Sequence, residues 1–276
     1  MKSDFHMHST ASDGSMAPDE LMRAVRAHGI DAAALTDHDS VEGVVLAART
    51  ASSLGISLIP GIEFNTILGE EDVHILAYWV DPTSPRLSRF LEERRIERVR
   101  RIERILVLLA DRYDIVLDHD EVLAGTDDKA LTRLHVARLL VDKGYGESSD
   151  EVFSRYMAKG KGAYVRQESM SPADAVALAR EIGGLSVLAH PGDLDDPLPL
   201  ISTLIGAGLG GLEAYYPDHS PSFRDSLIEI ARKHDLLVTG GSDFHGSGSR
   251  HTCELGGVAV PEKAALQLLE WGQSNK

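Results

Sequence analysis

The sequence contains a single cysteine, Cys253, among 276 residues. One cysteine cannot close a disulfide within the chain, and it cannot supply the thiolates of a cysteine-rich zinc site. Apolar runs are also short, and none approaches the roughly 20 residues that a membrane-spanning helix requires. Any metal site in this chain must therefore be built from nitrogen and oxygen ligands, and no membrane partner is expected.

The N-terminus also lacks the basic region and the apolar core of a signal peptide. Asp4, His6 and His8 interrupt the N-terminus at once, so a secretory signal is not expected and the cytoplasm is the predicted location. The net charge is −15, which argues against stable binding to duplex nucleic acid, because such affinity comes from Lys and Arg neutralising phosphates. A phosphorylated substrate remains possible, since bound cations would reverse the local sign of charge.

Several well-known catalytic motifs are absent. The chain has no His-Glu-x-x-His zinc motif, no Gly-x-Ser-x-Gly elbow, and no phosphate-binding Walker loop. Gly206-x-Gly208-x-x-Gly211 matches a dinucleotide-binding pattern, but it follows a predicted helix and precedes a predicted strand, the reverse of the required order. These absences exclude the commonest nucleotide-cofactor and serine-nucleophile chemistries.

Short apolar runs alternate with helical patterns, which predicts a parallel α/β architecture. Seven strands are predicted, over residues 2–6, 32–36, 57–62, 73–80, 185–189, 211–215 and 236–240. The helices between them are predicted over residues 18–28, 41–54, 172–182, 198–207 and 221–233. This pattern predicts one barrel-like domain made of residues 1–80 and 172–276.

Residues 81–171 interrupt that alternation. Between Arg86 and Arg104 the segment holds eight arginines against four glutamates, with apolar residues at helical spacing. An amphipathic helix with a salt-bridged, solvated face is favoured over a nucleic-acid patch. A second helix is predicted over residues 130–142. We interpret residues 81–171 as a mostly helical cap inserted into the barrel, over the rim where its strands end.

The most informative stretch is Asp4-Phe5-His6-Met7-His8. In an extended segment alternate side chains point the same way, so His6 and His8 can bind one metal ion together. A His-x-His pair is a weak signal alone, but His, Asp and Glu recur at the ends of later apolar runs. The further candidates are His38, Glu63, His74, His190, Asp243 and His245. All but His74, which lies near the start of a strand, would meet at the C-terminal face of a β/α barrel.

Imidazole and carboxylate ligands without thiolate suit Mn²⁺, Fe²⁺ or Zn²⁺. The number of carboxylates among them fits two or three closely spaced divalent ions. Such ions can share a hydroxide that attacks a phosphate while they neutralise its oxygens. The residues therefore predict metal-dependent hydrolysis of phosphate esters.

The motifs and their order along the chain resemble the motif series of the PHP (polymerase and histidinol phosphatase) family. The motifs are Asp4-x-His6-x-His8-Ser9, Ser12-Asp13-Gly14, Thr36-Asp37-His38-Asp39, Gly61-Ile62-Glu63, Val73-His74, Ala189-His190-Pro191 and Ser242-Asp243-Phe244-His245. The resemblance implies a distorted (β/α)7 barrel that carries a trinuclear metal centre, with Mn²⁺ expected as the metal.

The resemblance also implies a ligand set. His6, His8, Glu63 and Asp243 would bind the first ion, Glu63, His74 and His190 the second, and Asp13, His38 and His245 the third. Asp13 and His38 are expected to be catalytic as well. Asp37 is expected to orient an imidazole or to cap a helix. His219 is expected to bind phosphate or to act as general acid, with an ordinary loop histidine as the alternative.

The inserted segment is similar to that of the nucleotide-phosphatase branch of the family. The similarity lies in Leu131-Thr132-Arg133-Leu134-His135 and in Lys159-Gly160-Lys161-Gly162-Ala163-Tyr164-Val165. It implies removal of the 3′-phosphate from 3′,5′-bisphosphonucleotides, or trimming of short RNA from the 5′ end. Arg133 and His135 would hold the substrate's other phosphate, assisted by Lys161, although Arg133 could instead be a surface helix charge.

Two alternatives remain open from the sequence. A histidinol-phosphate phosphatase, or another enzyme for small phosphomonoesters, would use the same ligands with different residues around the substrate. The second alternative is a metal-stabilised binding module without catalytic activity. The sequence does not decide the metal, the general acid, the oligomeric state or the physiological substrate.

Overall fold

The computed structural model describes residues 1–123, 132–166, 169–246 and 253–275. Contacts divide the chain into two units. One contains Met1–Ser88 and Ser169–Lys276, and the other contains Arg89–Glu168. The helices are α1 (Pro18–Ala27), α2 (Glu42–Leu54), α3 (Pro85–Tyr113), α4 (His119–Leu123), α5 (Arg133–Asp142), α6 (Ser149–Val152), α7 (Pro172–Glu181), α8 (Pro197–Ala207), α9 (Pro221–Lys233) and α10 (Glu262–Ser274). No helix in these ranges combines the length and apolarity needed to cross a bilayer.

The first unit is built on one seven-stranded sheet whose spatial order follows the chain. The strands are β1 (Ser3–Asp4), β2 (Ala32–Leu35), β3 (Ser57–Leu68), β4 (Glu71–Tyr78), β5 (Leu185–Leu188), β6 (Gly211–Tyr215) and β7 (Leu237–Gly240). Backbone bonds also join the two edges, since Phe5 N donates to Gly240 O and His8 N donates to Phe244 O. The sheet is thus a nearly closed, distorted (β/α)7 barrel, which confirms the predicted fold class.

One strand departs from the predicted parallel arrangement. β4 is antiparallel to both neighbours, β3 and β5, and it follows β3 through a tight turn at Gly69, whose φ is +62°. The start of β4 therefore lies at the same end of the barrel as the C-terminal ends of the parallel strands. This reversal brings His74, the exception in the sequence pattern, to the same rim as the other candidate ligands.

The strand interiors and the last helix share one apolar core. Phe5, Leu76 and Tyr78 from the sheet belong to the same cluster as Ala265 and Leu268 of α10. Each fully buried large apolar side chain of this kind stabilises the fold by about 1.5–3 kcal/mol. Short, apolar strands with helical amphipathic partners therefore determine where the barrel forms, and polar residues are left to its rim.

The buried carboxylate of Asp4 helps to join the first strand to the loop after the last. It accepts hydrogen bonds from Ser242 N at 2.9 Å, Ser242 Oγ at 2.6 Å and Gly256 N at 2.8 Å. Burial raises the pKa of Asp4, and these hydrogen bonds oppose the increase. Asp4 thus positions the chain on both sides of the barrel closure, beside His6 and Asp243.

Gly272 in α10 lies directly against the indole of Trp79, and a Cβ at this position would overlap the ring. The indole cannot move freely, because its Nε1 donates to Leu268 O at 2.9 Å. Gly272→Ala is therefore expected to destabilise the fold by about 1–3 kcal/mol, although alanine is the better helix former. Thermal unfolding should show a midpoint lower by about 3 °C or more.

Gly206 offers a matched control within another helix, α8. A Cβ there would meet no atom within 4 Å. Gly206→Ala should leave the unfolding midpoint unchanged or raise it, since alanine gains helix propensity of about 1 kcal/mol. Equal behaviour of the two variants would contradict the proposed contact between Gly272 and Trp79.

The second unit is helical and has its own core. Its buried residues include Ile105 and Leu109 of α3, Val136 and Leu140 of α5, and Met157 in a π-helical turn, Phe153–Met157. The arginines of α3 form ion pairs along the helix, such as Arg95 with Glu92 at 2.8 Å, as the amphipathic pattern predicted. The contact boundaries of this unit, Arg89–Glu168, lie inside the predicted insertion of residues 81–171.

Candidate metal centre

Glu63 of β3 is completely buried at the centre of a cluster of histidines. Its Oε1 lies 3.1 Å from His74 Nδ1 and 3.2 Å from His190 Nε2. Its Oε2 lies 3.2 Å from each of three further nitrogens, His6 Nε2, His8 Nε2 and His38 Nδ1. One carboxylate thus contacts five histidines from four separate segments of the sequence.

The candidate ligand atoms form compact groups around Glu63. The groups are His6, His8, Glu63 and Asp243; His38, Glu63 and His74; and His8, Asp13, His38 and His245. His190 joins the middle group, because its Nε2 lies 3.2 Å from His74 Nδ1. All nine predicted ligands therefore meet at one rim. His38 and His8 each lie near two groups, whereas the sequence prediction assigned each of them to a single ion.

Several buried nitrogens in this cluster lack hydrogen bonds. Among the residues that the structure describes, His8 Nδ1, His8 Nε2 and His38 Nδ1 have no hydrogen-bond partner. Leaving a buried polar atom unsatisfied costs about 1–3 kcal/mol, so an arrangement of this kind requires a reason. Divalent cations would satisfy these lone pairs, and the mixed imidazole and carboxylate donors suit such ions. The residues present therefore fit the implied metal centre.

The electrostatics also indicate a site built for cations. Burial disfavours the charged form of His8, but the close carboxylates of Asp243 and Glu63 outweigh it and raise its pKa to about 10. For His190, burial is likewise outweighed, by Asp193 and Glu63, and the pKa again rises to about 10. Protons on these rings balance the carboxylates, and metal ions would replace those protons on binding.

Two of the ligand positions have unusual backbone geometry. His190 has φ of +24° and Asp243 has φ of +52°, and neither is glycine. Such conformations cost about 1–3 kcal/mol each and persist where the surrounding structure imposes them. At both positions the strand has just ended, and the turn directs the side chain toward the cluster.

Asp37 holds the loop that carries Asp13. It accepts hydrogen bonds from Ser9 N at 2.7 Å, Ser9 Oγ at 2.8 Å and Ser12 Oγ at 2.7 Å. The nearby helix α2 begins after Val41 without a side-chain cap. Asp37 is therefore not seen to cap this helix, and its role in orienting an imidazole stays a prediction. Its two oxygens accept hydrogen bonds from donors in a turn, where no helix or strand provides partners for them.

His219 uses both ring nitrogens on backbone groups. Its Nδ1 donates to Ala214 O at 3.0 Å, and its Nε2 accepts from Gly192 N at 3.1 Å. These bonds connect the loop after β6 to the turn that follows His190. In this arrangement neither nitrogen is directed to a substrate, so the roles of His219 in phosphate binding and as general acid stay predictions.

The predicted substrate residues lie in the second unit. Arg133 is the first residue of α5, and its guanidinium stacks 4.8 Å from the centre of the Phe153 ring. His135 Nδ1 accepts from Thr132 N at 3.1 Å, which leaves the proton of the neutral ring on Nε2. Partial burial, together with the charge of Arg138, lowers the pKa of His135. Lys161 is exposed in the segment after the π-helical turn.

The sequence analysis missed three residues that contact the ligands. Glu213 bonds His6, Tyr216 donates to Asp243, and Asp193 lies 3.1 Å from His190 Nδ1. A signal for Glu213 was present, because a glutamate inside an apolar strand must find a partner when the strand is buried. Tyr216 and Asp193 carried no comparable signal, since loop tyrosines and aspartates are common.

Comparisons with known proteins agree with this geometry. The family model of the PHP domain matches residues 4–144. A 3′,5′-nucleoside bisphosphate phosphatase from Chromobacterium violaceum is 34% identical, over 94% of this chain and 94% of the relative. The 5′-3′ exoribonuclease Rnm of Escherichia coli is 32% identical, over 88% of this chain and 84% of the relative.

The fold has a close counterpart among solved structures. A protein from Bifidobacterium adolescentis, described as a predicted metal-dependent phosphoesterase, superposes with a TM-score of 0.82. It is 30% identical, and the match covers 98% of this chain and 96% of the other. The similarity therefore extends over both the barrel segments and the insertion.

Metal removal should measurably destabilise the protein. An ion present at about 100 times its dissociation constant stabilises the folded state by about 2.7 kcal/mol. Treatment with EDTA is therefore expected to lower the midpoint of thermal unfolding by about 5 °C or more, and added Mn²⁺ should restore it. The same treatment of a Glu63→Gln variant should have a much smaller effect. Identical midpoints of the native protein in EDTA and in Mn²⁺ would contradict a metal centre here.

Proposed function

Because this chain belongs to the PHP domain family and is a metal-dependent phosphoesterase, we propose that its substrates are small phosphorylated nucleotides. The main reaction is removal of the 3′-phosphate from 3′,5′-bisphosphonucleotides, with trimming of short RNA from the 5′ end as a second activity of the same site. The proposal rests on the match to a 3′,5′-nucleoside bisphosphate phosphatase along 94% of both chains. It also rests on the nine ligand side chains gathered around Glu63.

The metal centre would be held by residues at the barrel rim, and we propose Mn²⁺ as its ion, in two or three positions. The residues that would hold it are His6, His8, Asp13, His38, Glu63, His74, His190, Asp243 and His245. Divalent ions in this position would lower the pKa of a bound water and neutralise phosphate oxygens. Metal analysis of protein purified without added metal tests the identity, with Fe²⁺ and Zn²⁺ as the competing results.

The first turn of α5 supports the second part of the proposal. The first turn of α5 carries Arg133 and His135 and contains no acidic residue, although the positive end of a helix dipole favours acidic side chains. A helix start that carries an arginine is suited to an anion. We propose that Arg133 forms paired hydrogen bonds with the substrate's 5′-phosphate, that His135 donates from Nε2, and that Lys161 adds charge.

The test is a comparison of phosphate esters with metal-replete protein. Initial rates would be measured with 3′,5′-bisphosphoadenosine, histidinol phosphate and a 5′-phosphorylated RNA dinucleotide. Both inorganic phosphate and mononucleotide products would be quantified. We expect rapid release of the 3′-phosphate from the bisphosphate, with slower release of mononucleotide from RNA.

Three results would overturn this assignment. Turnover of histidinol phosphate alone would favour the alternative phosphomonoesterase. Mononucleotide release from RNA without any action on the bisphosphate would make the protein an exonuclease only. Metal binding without hydrolysis of any phosphate ester would contradict the enzymatic function itself.

A further inference from the structure

One strand of the barrel contributes none of the nine candidate metal ligands. Within the described part of the chain, β6 (Gly211–Tyr215) lies between β5, which leads to His190, and β7, which leads to Asp243. Its central residue is nevertheless Glu213, a completely buried carboxylate. A buried charge in the middle of an apolar strand is costly unless other groups pair with it.

The two oxygens of Glu213 bond two different metal-ligand residues. Oε1 accepts from His6 Nδ1 at 3.0 Å, and Oε2 accepts from the backbone N–H of His190 at 2.8 Å. His6 reaches the cluster from the segment after β1, and His190 reaches it from the turn after β5. Glu213 therefore holds two ligands that lie far apart in the sequence.

The bond to Glu213 determines which nitrogen of His6 can bind metal. A carboxylate only accepts hydrogen bonds, so the proton of a neutral His6 ring must be on Nδ1. This leaves the lone pair on Nε2, which lies 3.2 Å from Glu63 Oε2 and 3.3 Å from Asp243 Oδ1. The tautomer selected by Glu213 is thus the one that directs an unprotonated nitrogen into the ligand group.

Tyr216, one residue beyond the end of β6, acts on another ligand of the same group. Its hydroxyl donates to Asp243 Oδ2 at 3.1 Å. The other oxygen, Oδ1, lies 3.1 Å from His8 Nε2 and 3.3 Å from His6 Nε2. In these contacts the two oxygens of Asp243 have separate partners, and Oδ1 is directed to the ligand group.

We propose that Glu213 and Tyr216 are positioning residues that orient His6 and Asp243 for one ion, the one bound by His6, His8, Glu63 and Asp243. The inference depends on the metal centre of the proposed function but not on the identity of the substrate. The proposal predicts a local effect, because Asp13 and His245 make no contact with Glu213 or Tyr216 in the described structure. The ion near Asp13 should bind independently of β6.

Glutamine cannot reproduce the contacts of Glu213, although it has the same shape. An amide has one accepting oxygen and one donating NH2 group, whereas His6 and His190 both present donors. If the NH2 group faces His6, the ring must move its proton to Nε2, which then cannot bind metal. If it faces His190, two N–H groups oppose each other at the turn, so either orientation disturbs the ligand group.

The decisive measurement is Mn²⁺ binding to metal-free protein by titration calorimetry, with electron paramagnetic resonance to count bound ions. Glu213→Gln is expected to weaken the binding of one ion by about 10-fold or more, within the range seen when a residue that hydrogen-bonds a metal ligand is replaced. The affinities for the other ions should be unchanged. Glu71→Gln is the matched control. Glu71 also accepts a backbone N–H bond, from Asp195 at 3.0 Å, but contacts no metal ligand.

Tyr216→Phe provides a second, independent test that keeps the buried ring. It should weaken the binding of the same ion by about threefold or more, since one hydrogen bond to Asp243 is lost. If Glu213→Gln does not fold, Tyr216→Phe decides the question. Affinities within twofold of the native protein in the folded variants, or equal losses at every ion, would overturn the proposal. Native protein that binds no Mn²⁺ would instead contradict the proposed metal centre.

Discussion

Replacing Glu63 with glutamine is expected to reduce kcat/KM for phosphate-ester hydrolysis by about 10³-fold or more. Its carboxylate contacts five histidines in a fully buried position. The substitution removes the negative charge that two of the three ligand groups share, and an amide also presents donors to rings that need an acceptor. Several kcal/mol of charge stabilisation in the transition state depend on bound cations, and each 1.36 kcal/mol corresponds to a tenfold change in rate.

The measurement is steady-state kinetics with saturating Mn²⁺, together with metal content after gel filtration. Burial raises the pKa of Glu63, but the positive charge of His38, His6 and His74 outweighs it and holds the pKa well below its usual range. The neighbouring histidines therefore favour the charged form of the native carboxylate. Glu181→Gln, which changes an exposed carboxylate paired with Arg86, is the control and should keep native rates. Native activity in Glu63→Gln would place the chemistry elsewhere.

Arg133→Ala is expected to reduce kcat/KM for 3′,5′-bisphosphoadenosine by about 100-fold or more. Two charge-assisted hydrogen bonds to the 5′-phosphate would be lost, each contributing about 1.5–3 kcal/mol. The effect should depend on the substrate. With 3′-adenosine monophosphate, which lacks the 5′-phosphate, the native and variant enzymes should differ by less than about threefold, because there is no second phosphate to bind.

Two controls separate this role from a structural one. Arg133 also stacks on Phe153, so the unfolding midpoint of each variant must be compared with the native value. Arg133→Lys keeps the charge but loses the planar fork, and an intermediate loss on the bisphosphate is expected. Equal losses on the two substrates would show that Arg133 does not recognise the 5′-phosphate.

The site could be predicted because its signals in the sequence are local. His6 and His8 share a face because extended chains alternate, and this follows from sequence spacing alone. The other ligands come at strand ends, where a β/α barrel gathers side chains at one rim. These two facts, with the resemblance of the motif series, predicted the fold and the nine candidate ligands that meet at the rim. They could not predict ring orientations, because those depend on partners far away in the sequence.

Residues that act through distant partners required the tertiary structure. β4 was expected to run parallel like its neighbours, and its reversal is a property of the β3–β4 turn and of strand pairing. Glu213 and Tyr216 bond His6 and Asp243, which are 207 and 27 positions away in the sequence. No local sequence pattern indicates such pairs. His219 appeared suited to acid catalysis from its place in a loop, yet both of its nitrogens bond backbone groups.

The sequence by itself therefore determined the kind of chemistry, because ligand types and their places at strand ends are local properties of the chain. It also determined the barrel class through the alternation of apolar runs. The tertiary structure alone decided which nitrogen of each histidine faces the cluster and which carboxylate holds it there. The physical reason is that a hydrogen bond is set by the three-dimensional approach of two groups, and the separation of those groups along the chain carries no information about that approach.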